Sequence, residues 1–331
     1  MPICGSQIPI CDVPIRFDTY TGCTHACEYC FVKRLTDIKK VGIGESPKQL
    51  LDFINGKRNK TTSWCDWDIP IHWGGVSDPF QPCEKIHKRS YEALKVFADT
   101  QYPYIVSTKG KIAGEKDYID IISRTNCVFQ LSAISAVYDK YEKGASTFEE
   151  RMSIAEKLAP KVKRVVIRAQ PFILEIEDAL IENLKRFKEI GVYGVVLEGM
   201  KYKTKRSDTE KFKGDNVIKK SLLRNAFQRI KEACHENNIV FLCGENRLRS
   251  MGDSLTCCGC EGLEGFVVNT YNLNSFNLGR QPRLTPAQER TGTTHAFLAS
   301  FMQQKYALAL KEMSFKEAMQ RYYNKNPDTV G

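Results

Sequence analysis

The sequence has no run of about 18 or more apolar residues, the length that would read as a membrane-spanning helix. Its first stretch, MPICGSQIPICDVPIRFD, lacks a basic segment followed by an apolar one, so no secretory signal is expected there. Repeats and low-complexity tracts are missing too. These absences lead to the expectation of a cytoplasmic protein without membrane association. What remains is ordinary for a globular chain: 331 residues, 42% hydrophobic and 27% charged. That length suffices for one large domain, or for one domain with an appendage.

Cysteine is the exception, with thirteen in the chain. An odd number in a reducing compartment argues against a disulfide framework and for metal or iron–sulfur ligation. Cys4 and Cys11 lie near the start, Cys23, Cys27 and Cys30 form a tight group, and Cys243, Cys257, Cys258 and Cys260 form a second. The scattered Cys65, Cys83, Cys127 and Cys234 read as small buried hydrophobes. The net charge of +10 is largely local, since residues 201–224 hold nine Lys/Arg against three Asp/Glu. Such a stretch is either a footprint for a polyanion or a solvated mobile loop.

Short apolar runs alternate with amphipathic helices. The runs at Val13–Tyr20, Ile69–Val76, Tyr104–Thr108, Val128–Ser132, Arg164–Gln170, Tyr193–Leu197 and Ile239–Cys243 predict strands. Pieces such as RVVIRA and GVVLEG lack alternation, as strands buried on both faces do. Ser46-Pro47-Lys48-Gln49 and Thr147-Phe148-Glu149-Glu150 are capping boxes. Glu177–Ile190 predicts a helix closed by Gly191, and Leu222–Asn237 predicts another. Strand–helix alternation implies an α/β fold, a partial or closed β/α barrel of six to seven parallel strands, with its chemistry at the strands' C-terminal ends. Residues 1–245 are expected to form the barrel. Residues 246–331 are expected to form a Cys-rich C-terminal extension with a possible auxiliary metal site, ending in helices at about 293–311 and 314–324.

TGCTHACEYCF, residues 21–31, sets three thiolates in Cys-x3-Cys-x2-Cys spacing directly after the first predicted strand. Cubane clusters take four thiolates, so a local triad leaves one iron open to a small ligand. The competing reading is a zinc site with His25 as fourth ligand. Structural zinc is ordinarily held by two separate ligand pairs, however, and His25 sits inside the triad.

The spacing resembles the signature of the radical S-adenosylmethionine (SAM) superfamily. The resemblance implies that Cys23, Cys27 and Cys30 hold a [4Fe–4S] cluster whose open iron binds SAM. One electron would then cleave SAM, and a 5′-deoxyadenosyl radical would abstract hydrogen from the substrate. It also implies that Tyr29 lies near the adenine, that Gly74 and Gly75 meet the SAM amino group, and that an electron donor such as flavodoxin or ferredoxin is needed. Ser77-Asp78-Pro79-Phe80-Gln81-Pro82, Ser107-Thr108-Lys109-Gly110 and Arg168-Ala169-Gln170-Pro171 resemble strand-end elements of the spore photoproduct lyase-like subgroup. In that light Arg168 is a candidate clamp for the SAM carboxylate, Ser132 a hydrogen-bond partner and Glu198 a ribose or substrate contact. Asp78 and Lys109 are weaker candidates; His72 and His87 read as ordinary. The likeness spans residues 13–200. It assigns no catalytic hydrogen donor, since Cys127 falls at the wrong end of its strand.

Cys243, Cys257, Cys258 and Cys260, with Cys4 or Cys11, are candidates for a second iron–sulfur cluster, for structural zinc, or for free thiols. The leading expectation for function is hydrogen abstraction from a nucleic acid or nucleotide. A peptide or small metabolite as substrate is the alternative, and a non-catalytic metal-binding module the third reading.

Overall fold

The computed structural model describes residues 1–5, 10–34, 40–63, 65, 69–212, 214–254, 256–270, 272 and 274. The two helices expected beyond residue 292 lie outside them. In chain order the strands are β1 (Ile3–Cys4), β2 (Ile15–Phe17), β3 (Tyr20–Thr21), β4 (Gly42–Ile43), β5 (Ile71–Trp73), β6 (Tyr104–Thr108), β7 (Cys127–Leu131), β8 (Arg164–Phe172), β9 (Gly194–Gly199), β10 (Lys201–Tyr202), β11 (Thr209–Phe212), β12 (Asp215–Ile218) and β13 (Val240–Cys243). The helices are α1 (Pro47–Ile54), α2 (Glu84–His87), α3 (Arg89–Thr100), α4 (Lys116–Ile122), α5 (Phe148–Leu158), α6 (Glu177–Ile190) and α7 (Lys220–Glu236).

Eight strands make one sheet in the order β1-β2-β5-β6-β7-β8-β9-β13. All neighbours run parallel except β1, which lies antiparallel on β2. The end strands β1 and β13 do not pair with each other, so of the two barrel forms expected, the partial one is found. All seven predicted strands are present: β6 has the predicted bounds, β2 and β5 are shorter than predicted, and β8 and β9 run two residues further at their C-terminal ends.

Side-chain alternation gives this sheet two unlike faces. One face sends Phe17, Trp73, Val106, Phe129, Ile167, Leu197 and Phe241 into a large core shared with Leu94, Phe97, Leu158, Leu184 and Phe227 of the helices. The other face sends Ile105, Val128, Val166, Val196 and Leu242 into a second cluster. That cluster is completed by Cys258, Cys260 and Phe266 from beyond β13, so the Cys-rich segment floors the barrel's lumen.

Local signals explain the helix starts. Ser46 and Thr147 each accept the N3 amide, while Gln49 and Glu150 reach back to the cap, closing both capping boxes. Gly191 ends α6 in the left-handed region. The basic stretch after β9 is not a loose loop. Residues 201–218 form a separate antiparallel sheet in the order β10-β12-β11, with Thr209, Asn216, Val217 and Ile218 buried.

Candidate active site

Every strand of the parallel sheet ends at the same rim, as the crossovers require, and a cavity of about 500 Å³ opens there. The cysteine loop forms one wall. β3 pairs with β4 to anchor its start, and Gly22 and Ala26 turn the chain through positive φ. Cys27 is buried, Cys23 and Cys30 are half-buried, and all three line the cavity. Burial pushes the Cys27 thiol up to about 12, Lys109 opposes this, and the nearby sulfurs of Cys23 and Cys30 add to it.

The loop after β5 holds this wall in place. Ser77 Oγ and Gln81 Nε2 donate to the Gly22 carbonyl at 2.8 and 3.1 Å, and Gln81 Oε1 accepts the Thr24 amide at 2.9 Å. Asp78 is spent on structure. It accepts from the Phe80 amide at 2.9 Å and from the Thr108 hydroxyl and Lys109 amide at 2.7 Å each, and it faces His25 Nδ1 at 3.4 Å. Burial opposes its charge, yet His25 and these donors hold its carboxyl below the usual range. His25 is pushed up to about 10: burial opposes this, but Asp78 and then the Cys23 sulfur favour the imidazolium.

The two glycines differ in role. Gly74 has φ +86, and a Cβ there would meet the Ser107 carbonyl oxygen at 2.4 Å, so the backbone itself demands glycine. A Cβ on Gly75 would approach only Arg16 Cδ, at 3.8 Å; its missing side chain leaves room in the cavity.

Tyr29 donates to Glu142, which binds Arg151 at 2.5 Å and lies 3.8 Å from Lys109 Nζ. The Lys109 ammonium sits 5.7 Å from the Tyr29 ring centroid, and burial lowers its pKa. Ser132 follows β7 on the cavity wall, its carbonyl accepting from Arg151.

A polar chain crosses the lumen below. Arg168 Nη1 donates to Gln130 Oε1 at 2.6 Å and to Ser107 Oγ at 3.2 Å, and Nη2 donates to Gln170. Gln170 Nε2 donates to Glu198 at 2.8 Å, and Ser107 Oγ lies 3.0 Å from His72 Nε2. Burial, then Arg168 and Arg16, force the His72 pKa down to about 3, so its ring is neutral. Burial, then Glu245, push Glu198 up to about 7.

The structure therefore brings Cys23, Cys27, Cys30, Tyr29, Gly74, Gly75, Ser132, Arg168 and Glu198 to one cavity, with Asp78 and Lys109. Sequence reasoning missed Arg16 and Gln130, read His72 as ordinary, and gave Ser107 and Gln170 no role beyond the motifs that contain them. For Arg16, His72 and Gln130 the signal was faint, one polar residue between apolar ones on a strand; Ser107 and Gln170 lay inside the strand-end motifs without a role of their own. The second cysteine set does not join them. Cys243 faces the helix-side core, where its thiol donates to the Leu248 carbonyl at 3.1 Å. Cys258 and Cys260 are in the lumen-side cluster, and Cys257 Sγ is 3.9 Å from Cys258 Sγ. Among the described residues, no three His, Cys, Asp or Glu side chains are grouped to hold a metal ion. Cys65, Cys127 and Cys234 are buried as expected, whereas Cys83 is half-buried at the start of α2.

No protein-family model matches the sequence, and no curated protein matches it. Solved structures do. Spore photoproduct lyase complexed with dinucleoside spore photoproduct aligns with a TM-score of 0.56 at 15% identity, over 69% of this chain and 76% of that one. A mutant of the same enzyme with bound AdoMet and dinucleoside spore photoproduct aligns at 0.51 and 16%, over 66% and 74%. At such identities the likeness is one of architecture alone: over the aligned part this chain shares the fold of spore photoproduct lyase.

Proposed function

We propose that the protein is a radical SAM enzyme acting on a nucleic acid or nucleotide. The observation that carries the first half is the convergence of the cysteine triad, the open side of Gly75 and the polar lumen on one cavity at the strand ends. The residues fit the group. The sulfurs of Cys23 and Cys30 are both close enough to perturb Cys27, and three thiolates on one loop are what a cubane with one open iron takes. When bound, the cluster supplies the electron for reductive cleavage of SAM and hence the hydrogen-abstraction chemistry. Cys23, Cys27 and Cys30 hold it. Gly75 admits the SAM methionyl end, Tyr29 and Ser132 line its place, and Glu198, near neutrality, offers a hydroxyl or a carboxylate to a ribose or substrate. His25, charged between Asp78 and Cys23, steadies the first thiolate. The second cysteine set is left without an assigned group in this reading: Cys243 packs in the helix-side core, whereas Cys258 and Cys260 pack in the lumen-side cluster.

The substrate half rests on the neighbouring surface. A second cavity of about 270 Å³, sharing Tyr29, Pro171 and Met200 with the first, is walled by Tyr138, Tyr141, Tyr202 and Arg206. Arg206 stacks 4.7 Å over Tyr202, held there by Glu175 and Asp208 at 2.7 and 3.0 Å, and Lys140 lies 4.9 Å over Tyr141. Aromatic faces with cations beside them suit unstacked bases. The basic sheet at 201–218 adjoins this cleft and suits the phosphate backbone.

The test is anaerobic reconstitution with iron and sulfide, then dithionite and SAM with and without single-stranded oligonucleotides. The expected outcome is about four irons per chain and 5′-deoxyadenosine, with iron lost in Cys27→Ala and turnover raised by the oligonucleotide. Iron-loaded protein that neither binds SAM nor alters its EPR signal with SAM would refute the enzyme reading. Turnover indifferent to nucleic acid would turn the substrate towards peptides or metabolites.

A further inference from the structure

Arg16 stands out among the cations of the main cavity. Arg168 is forked by three side chains, Lys109 faces Glu142, Lys201 faces Asp215 at 3.7 Å, and His25 faces Asp78. Arg16 makes no hydrogen bond or ion pair with any described residue, although it is half-buried and lines the cavity. Its neighbours Ile15 and Phe17 enter the helix-side core, so strand alternation turns Arg16 into the lumen. It is in register with His72, which is neutral and offers no countercharge. Asp18, two residues on, feels the Arg16 charge without bonding to it; burial and then Glu45 raise its carboxyl to about 8, so near neutral pH it is largely protonated and does not complete the guanidinium.

Space has been made for this side chain. β1 pairs Ile3 with Arg16, and a Cβ on Gly5 would fall 2.6 Å from Arg16 Nε. On its other flank Gly75 leaves the route to the guanidinium open. An unpaired cation withdrawn from bulk water is unfavourable unless something anionic completes it.

We propose that Arg16 is an oxyanion receptor in the lumen, binding a carboxylate or phosphate group of the molecule that fills the cavity. The group is either the SAM carboxylate or an anionic group of the substrate; only the first source rests on the proposed function. Arg16 binds through two parallel N–H donors, the arrangement guanidinium groups favour for such anions.

The experiment is calorimetric titration of the reconstituted full chain with inorganic phosphate, SAM and decarboxylated SAM, using wild type, Arg16→Gln and Arg16→Lys. Arg16→Gln is expected to weaken one anion by about tenfold or more, with Arg16→Lys recovering part of the loss. Weaker phosphate with unchanged SAM assigns Arg16 to the substrate. Weaker SAM with unchanged decarboxylated SAM assigns it to the SAM carboxylate. If SAM fails to bind wild type, the proposed function falls and the phosphate arm still decides this one. Equal affinities for every probe in wild type and both variants would overturn the inference, as would absence of anion binding in wild type. Should Arg16→Gln not fold, the same comparison is made with Arg16→Lys, which keeps the charge and loses the fork.

Discussion

Glu198 is the cavity residue whose state is set most plainly by its surroundings. Burial raises its carboxyl from 4.5 to about 7, so between those values the native chain binds more protons than the unfolded one. Stability then falls as pH rises through that window. Replacing Glu198 by Gln removes the effect: without added SAM, the variant's urea midpoint should exceed that of wild type at pH 8 and match it near pH 5. The side chain faces an open cavity, so the expected gain is about 1–2 kcal/mol. Glu198, Arg168 and the triad could be named from sequence because each stands at a strand end beside a recognisable motif. Arg16 and His72 could not, since their meaning depends on which side of β2 and β5 faces the lumen.

At the scale of elements, the cysteine loop is held by parts of the chain far from it. The stretch before α5 is one: the Glu28 amide donates to the Tyr141 carbonyl at 3.0 Å, and a Cβ on Gly144 would meet the Thr24 and His25 carbonyl oxygens at 2.6 and 2.7 Å. Those are backbone atoms that cannot swing aside. Gly144→Ala is therefore expected to displace the loop at a cost of about 1–3 kcal/mol, with lower iron content after reconstitution and little change in far-UV circular dichroism. The seven parallel strands and four of the helices were legible because buried parallel strands read as apolar runs, capping boxes mark the starts of α1 and α5, and helical spacing marks α6 and α7. The sheet at 201–218 was not, since its strands lack an unbroken apolar run and carry lysines that suggested a loop. Ser77 and Gln81 were legible as a motif, yet their part as clamps on Gly22 appeared only with the fold.

For the molecule as a whole, the segment after β13 matters more than its cysteines suggested. Gln130 Nε2 donates to the Cys258 carbonyl at 3.0 Å, and Arg164 donates to the carbonyls of Gly259 and Glu261 at 2.8 Å. Gly259 lies at φ +73, where a Cβ would press on Val166 Cγ2 at 2.7 Å. Gly259→Ala should destabilise the protein by about 1–3 kcal/mol, seen as a lower urea midpoint. Further along, the Asn269 amide donates to the Asp12 carbonyl at 2.8 Å, Asn272 Nδ2 to the Asp12 carboxylate at 2.8 Å, and Asn274 Nδ2 to the Ile10 carbonyl at 2.6 Å. These bonds tie the segment beyond β13 to the stretch before β2. They also impose an order in time. Asp12 leaves the ribosome long before Asn272, 260 positions later, and at about 5–20 residues per second it waits on the order of 13–50 s for this partner to be made. Through that interval the stretch before β2 must do without these bonds, which form only after translation has passed residues 269, 272 and 274.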